Sequence, residues 1–206
     1  RFPVPAQEMA VKYLEEVILA NPKASIVVSG HSKGGNLAVY ATAKCRRELQ
    51  QQIKRIYNFD GPGFQEVFLR DAGYMRVADR IRKYVVPESL VGIFLNNEGR
   101  TYMVESAGHG MQQHDAFQWE TQGGHLKRAG KYDTEKRKQG ELLNDKILKL
   151  PREDARKLVE SFFGTLKKRG VADVTQMKLE DSLAVLRGFS EEGGYNRDAV
   201  SVLGSL

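Results

Sequence analysis

The sequence predicts an α/β protein built on a mostly parallel sheet with crossover helices, followed by a helical tail. Three observations carry this reading. A β-branched run, Ile26-Val27-Val28, ends in Gly30-His31-Ser32-Lys33-Gly34 and passes into Asn36-Leu37-Ala38-Val39-Tyr40-Ala41, a strand turning abruptly into a helix. Strand-length apolar runs then alternate with helical stretches, as in a parallel sheet whose crossovers are helices. Beyond residue 126 only helical patterns remain.

Residues 5–20 form the first helix, with Val11, Leu14, Val17 and Ile18 on one face, Met9 as a further candidate, and Asn21-Pro22 as the stop. Residues 25–29 are the first strand and residues 33–50 the helix after the turn. Ile53–Phe59 is the second strand, closed by the turn signal Asp60-Gly61-Pro62-Gly63. Gln65–Arg70 and Met75–Asp79 are short helical pieces. Ile81–Val86 is the third strand, ended by Pro87, and Leu90–Leu95 is an apolar segment without a clear period. Thr101–Ser106 is a fourth strand and Phe117–Thr121 a candidate fifth. Helices follow at 134–149, 152–169 and 174–188, with a short piece at 196–203. Pro151 suits a first helical position, Gly170 a C-cap, and Asp173 with Gln176 a capping box. The chain divides into an α/β domain over 1–125 and a helical region over 126–206, the latter read as packing or partner-binding structure.

Composition narrows the function classes. No run of about 18 apolar residues exists, so no transmembrane helix is expected. The start, Arg1-Phe2-Pro3-Val4-Pro5, lacks the apolar region of a signal peptide. The single Cys45 excludes an internal disulfide and favours a reducing compartment, so a cytoplasmic location is expected. It lies on the helix after the turn, where a buried thiol is expected. The net charge of +6 is spread along the chain and interleaved with acids. No nucleic-acid motif accompanies it, which argues against nucleic acid and leaves weak contact with anionic lipid open. No zinc spacing occurs and Gly30–Gly35 lacks the Walker ending, so neither metal nor cofactor is expected.

The Gly-x-Ser-x-Gly turn carries the chemistry. Strand, sharp turn and helix hold Ser32 in a strained conformation at a helix N-terminus, where free amides and the macrodipole favour negative charge. Gly30 and Gly34 lack a Cβ, which allows strand and helix to approach. Ser32 is the candidate nucleophile and the Lys33 amide a candidate oxyanion donor. A nucleophilic serine needs a base and an acid to orient it. His31 adjoins Ser32 and points elsewhere, with packing as its expected role. His109, His114 and His125 lie in later loops, and His114, flanked by Phe117 and Trp119, is the preferred base. Asp60 ends the second strand at the sheet edge where ligands gather; Glu88 and Ser89 follow the third strand, the usual acid position. Asp60 has a bland alternative as a turn former, and Glu88 as a helix cap. Both acids, Asp60 and Glu88, remain candidates.

Four motifs in order, Gly-His-Ser-Lys-Gly-Gly-Asn-Leu-Ala (30–38), Phe-Asp-Gly-Pro-Gly-Phe (59–64), Pro-Glu-Ser-Leu-Val-Gly (87–92) and Gln-His-Asp-Ala-Phe-Gln-Trp (113–119), resemble a bacterial lipase-like α/β-hydrolase family of unknown function, the "Mbeg-like" family. The resemblance covers about residues 1–125 and extends more distantly to the class 3 lipases. It implies Ser32 as nucleophile, His114 as base, and a serine hydrolase acting on small-molecule or lipid esters through an acyl-enzyme. The lipase aspartate would fall near Glu88 or Ser89, where this sequence departs from the pattern; that keeps Asp60 in play. Such a sheet has several strands before its elbow strand, yet fewer than thirty residues precede Ser32. The expectation is the C-terminal part of an α/β-hydrolase fold. Its second oxyanion donor is expected outside this chain, and activity is expected to be weak in this chain alone. A non-catalytic module that binds a partner through its helical tail is the alternative; an acyltransferase or thioesterase with the same residues is a third reading.

Overall fold

The computed structural model describes residues 3–87, 89, 91, 92, 95, 99–129, 149, 151, 153, 160, 164 and 167–170. Glu88, half of Leu90–Leu95 and nearly all of the expected helical tail therefore lie outside the described residues.

Helix α1 spans Pro5–Ala20, with Pro5 in its first turn, where a missing N–H costs nothing. Leu14 and Ile18 bury its inner face, as their spacing predicts. Met9 does not belong to that stripe and is 70% exposed. Gln7 goes inward instead, and its Nε2 donates to Asn36 Oδ1 at 3.0 Å.

Strands β1 (Ile26–His31), β2 (Ile53–Phe59), β3 (Ile81–Val85) and β4 (Arg100–Met103) form a four-stranded parallel sheet in the order β1-β2-β3-β4. Among the described residues β1 is an edge strand, and Val27 on it is 57% exposed. Ile53 and Ile56 of β2 and Ile81 of β3 belong to the core shared with α1 and α2 (Lys33–Lys44), and Val85 at the end of β3 is also buried. Two polar residues interrupt this face. Asn58 and Lys83 are neighbours across β2 and β3, and both are buried. On the opposite face Tyr57, Phe59, Tyr84 and Tyr102 form a run of ring contacts across three strands, ending in the Arg128 guanidinium 3.8 Å from the Tyr102 ring centroid.

The expected helix over 33–50 is two helices, α2 and α3 (Arg47–Gln50). The chain turns extended at Cys45 (φ −66°, ψ 159°), so Cys45 caps α2 rather than lying within a longer helix. Tertiary partners satisfy the groups exposed by this break. The Arg46 amide donates to Glu15 of α1 at 2.8 Å, and Gln50 Nε2 donates to the carbonyls of Thr42 and Ala43, both at 3.0 Å. Short helices α4 (Glu66–Leu69) and α5 (Ala72–Met75) and a 3-10 turn at Ala78–Arg80 lead to β3.

The expected strand at Phe117–Thr121 is replaced by a 3-10 turn over Ala116–Gln118, set by Asp115 accepting from the Phe117 amide at 3.0 Å. Trp119 bridges to Ser106, and a two-residue hairpin pairs β5 (Thr121–Gln122) with β6 (His125–Leu126). Trp119 packs with Val86 and Val104 against Phe59 and Tyr84 in a second, smaller core. No helix among the described residues is long and apolar enough to cross a membrane.

Burial and neighbouring Glu15 push the Cys45 thiol up to about 11. At neutral pH it is therefore a buried thiol with almost no nucleophilic thiolate. Iodoacetamide should leave native protein unmodified and alkylate Cys45 fully in guanidinium, as read by intact mass. Fast labelling of the native chain would contradict this burial.

Candidate active site

Register builds the site. His31 pairs with Phe59 and Phe59 with Tyr84, so the ends of β1, β2 and β3 lie side by side. The ladder continues one residue further: the Ser32 amide donates to the Phe59 carbonyl at 2.9 Å, and the Asp60 amide to the Tyr84 carbonyl at 2.7 Å. Ser32 and Asp60 thus emerge from adjacent strands at the same edge.

Ser32 has φ 55° and ψ −127°, outside the ordinary left-handed region. Such a conformation costs on the order of 1–3 kcal/mol and persists only where surroundings enforce it. Here the enforcing contact is strand against helix. A Cβ on Gly30 would run into the backbone of Gly34 and stand 2.7 Å from the Gly35 amide nitrogen. The second indispensable glycine is Gly35 rather than Gly34. A Cβ on Gly35 would collide with the Asn58 amide group, whereas one on Gly34 would meet nothing within 4 Å.

The structure brings Ser32, His114 and Asp60 together. His114 Nε2 lies 2.9 Å from Ser32 Oγ, and His114 Nδ1 lies 2.7 Å from Asp60 Oδ2. An ionised carboxylate only accepts, so Nδ1 carries the proton and Nε2 accepts from the serine hydroxyl. Asp60 is 0% exposed and His114 2%. Glu88, the rival acid, is not among the described residues, and the Nδ1 position it would need is occupied by Asp60. His109 and His125 are exposed and take no part in this chain of bonds. Lys33 is the first residue of α2, where a backbone N–H has no partner within the helix. The next helical turn points its amides in the same direction as the macrodipole favouring negative charge beside Ser32.

Several side chains hold this arrangement, and sequence reasoning missed most of them. The turn after β2 is clamped by two asparagines. Asn58 Oδ1 accepts from the Gly61 amide at 2.8 Å, and Asn36 Nδ2 donates to the Pro62 and Gly63 carbonyls at 3.2 and 3.0 Å. Asp60 itself has φ 50°, a conformation Asp tolerates better than most residues. His31 Nε2 donates to the His114 carbonyl at 2.7 Å, and the two rings are 4.7 Å apart, so His31 fixes the His114 backbone. Trp119 Nε1 donates to the Gln113 carbonyl at 2.8 Å and anchors the same loop. A sequence signal existed for Asn58 and Lys83: each is a polar residue at a core-facing strand position, which a folded protein retains only with partners.

Lys83 is 3% exposed and its Nζ donates to the Gly92 carbonyl at 2.5 Å. Burial pushes its ammonium down to about 7, with nearby Asp60 acting in the opposite direction. Among the described residues no cluster of His, Cys, Asp and Glu could hold a metal ion.

Residues 1–164 match a family model described as Mbeg1-like, a span that includes every residue of this site. No curated protein and no solved structure matches the chain.

Two stability experiments check the geometry. Gly35→Ala should destabilise the fold by about 1–3 kcal/mol through overpacking, while Gly34→Ala should be neutral or stabilise by about 0.5–1 kcal/mol. Equal effects in denaturant unfolding would refute the assignment of the close approach to Gly35. Lys83 binds a proton more weakly folded (about 7) than at its ordinary 10.5, so the unfolded chain holds the extra proton between those values. This group's contribution to stability therefore rises with pH across that window, by up to about 1.4 kcal/mol per unit. Unfolding free energy should climb less steeply from neutral to mildly alkaline pH in Lys83→Met than in the wild type.

Proposed function

We propose that this chain, which belongs to the Mbeg1-like family, is a serine ester hydrolase with an α/β-hydrolase-type core related to the lipases. One observation carries the proposal: the unbroken sequence of bonds from the Ser32 hydroxyl through both His114 nitrogens to the buried Asp60 carboxylate. The strained elbow at Ser32 adds to it, since strain of this kind gathers at functional sites.

The reaction is acyl transfer. As Ser32 Oγ attacks the ester carbonyl, His114 Nε2 takes the hydroxyl proton, and Asp60 stabilises the imidazolium through Nδ1. The carbonyl oxygen becomes an oxyanion at the N-terminus of α2, where the Lys33 amide donates to it. Collapse expels the alcohol, which takes the proton from His114. Water then repeats the sequence on the acyl-enzyme, with His114 as base, and releases the acid. Small-molecule or lipid acyl esters are the proposed substrates. The buried, unpaired Cys45 thiol supports a reducing, cytoplasmic setting for the reaction.

A fluorophosphonate probe should label Ser32 and fail to label Ser32→Ala. Asp60→Asn should lower kcat on a p-nitrophenyl ester by roughly 10⁴-fold with the fold intact, the loss typical of a wrongly held imidazole tautomer. Glu88→Gln should leave turnover near wild type. A folded protein that takes no probe would sink the hydrolase reading and favour a binding module. A large loss from Glu88→Gln alone would move the acid away from Asp60.

A further inference from the structure

We propose that Ser89 is a positioning residue that holds the Asp60 carboxylate in the plane His114 requires; the role rests on the hydrolase reading above. The sequence offers two places for an acid, the end of β2 at Asp60 and the loop after β3 at Glu88 and Ser89. Here the carboxylate bonded to His114 comes from the end of β2, one strand earlier. The place after β3 is filled by a hydroxyl that turns back toward that carboxylate.

The geometry gives the hydroxyl one direction. Ser89 Oγ lies 2.6 Å from Asp60 Oδ2 and accepts from the Gly92 amide at 2.7 Å. With a lone pair engaged by Gly92, its hydrogen points at the carboxylate, which only accepts. The Gly92 carbonyl, in the next peptide unit, accepts from the Lys83 ammonium, so both backbone groups of Gly92 are held. Gly92 is the residue that fits, because a Cβ there would collide with Asp60 Oδ1 and stand 2.9 Å from Ser89 Oγ. The loop after β3 thus presses its backbone against one carboxylate oxygen and its hydroxyl against the other.

Asp60 needs this support. Its Oδ1 is buried and has no hydrogen-bond partner among the described residues. Orientation of the carboxylate therefore depends on two donors converging on Oδ2, Ser89 and His114. With Ser89 removed, one bond remains, and a carboxylate held by a single bond can rotate about it. The His114 ring then loses its fixed orientation and tautomer for part of the time. A hydroxyl that merely drew charge away from Oδ2 would act oppositely: its removal would strengthen the bond to His114 and leave or raise turnover.

The test compares the full chain with Ser89→Ala and Ser89→Thr, by ester kinetics and by the downfield proton NMR signal of His114 Nδ1–H. Ser89→Ala should lower kcat about ten- to a hundredfold, the scale of a small misplacement in an active site, with KM unchanged. Its downfield signal should broaden or vanish while circular dichroism stays native. Ser89→Thr, which keeps the hydroxyl, should restore both. An unchanged or raised kcat in Ser89→Ala with a sharp signal would overturn the proposal. So would a loss of activity that tracks a loss of melting temperature while the signal persists. If the wild type itself takes no fluorophosphonate, the hydrolase reading fails. The signal in wild type and Ser89→Ala then still decides whether Ser89 holds the Asp60–His114 bond.

Discussion

A carboxylate with no solvent exposure sits at the junction of three segments, and the local structure follows from keeping it there. Desolvating a charge of this size costs several kcal/mol unless hydrogen bonds and opposite charge offset it. Asp60 receives two donors on Oδ2, from His114 and Ser89, and lies near the buried Lys83 ammonium. Each partner arrives from a different part of the chain: the loop after β4, the loop after β3, and the core-facing side of β3. The same demand explains why two polar residues, Asn58 and Lys83, occupy neighbouring slots in an otherwise apolar face of the sheet. They belong to the support of the carboxylate rather than to the core.

The elbow and the acid turn are held by a shared set of contacts. Asn58 lies under both, because its side chain accepts from the Gly61 amide and leaves room only for a glycine at position 35. Asn36, one residue further along α2, ties the helix to the Pro62 and Gly63 carbonyls. The strained Ser32 backbone is thus balanced by contacts that also fix Asp60, so Ser32 and Asp60 are positioned as one unit. His114 comes from a separate loop. Its loop is fixed by Trp119 in the smaller core and by His31, which comes from the elbow itself. The hydrogen bond from His31 to the His114 carbonyl makes the two loops mutually dependent.

Much of this was legible in the residues. The helix over 5–20 and the strand over 53–59 coincide with α1 and β2, because strong periodicity and clear stops mark both. The elbow was legible because only a few residue types tolerate its turn. The break of the next helix at Cys45 was not, since its cause lies in Glu15 and Gln50, distant partners that satisfy the freed backbone groups. Nor was the 3-10 turn at Ala116–Gln118: an aromatic, β-prone stretch is overridden there by Asp115 bonding to the Phe117 amide. Met9, a further candidate for the apolar face, stands about half a turn from Gln7 and faces outward, while Gln7 goes inward to reach Asn36.

The sequence by itself determined the parallel α/β order, the serine at the elbow and the short list of histidines and acids from which a site could be drawn. Spacing along one chain carries that information, since strand, turn and helix are local. Choosing between the two acids was beyond it. Asp60 follows β2 and Glu88 comes after β3 along the chain, and only the register of β1, β2 and β3 places Asp60 beside Ser32 with its carboxylate against His114. The supporting set, from Ser89 and Lys83 to the two asparagines, is assembled by contacts between residues far apart in sequence. A hydrogen bond acts over about 3 Å, so its existence is a property of the fold and of no single segment.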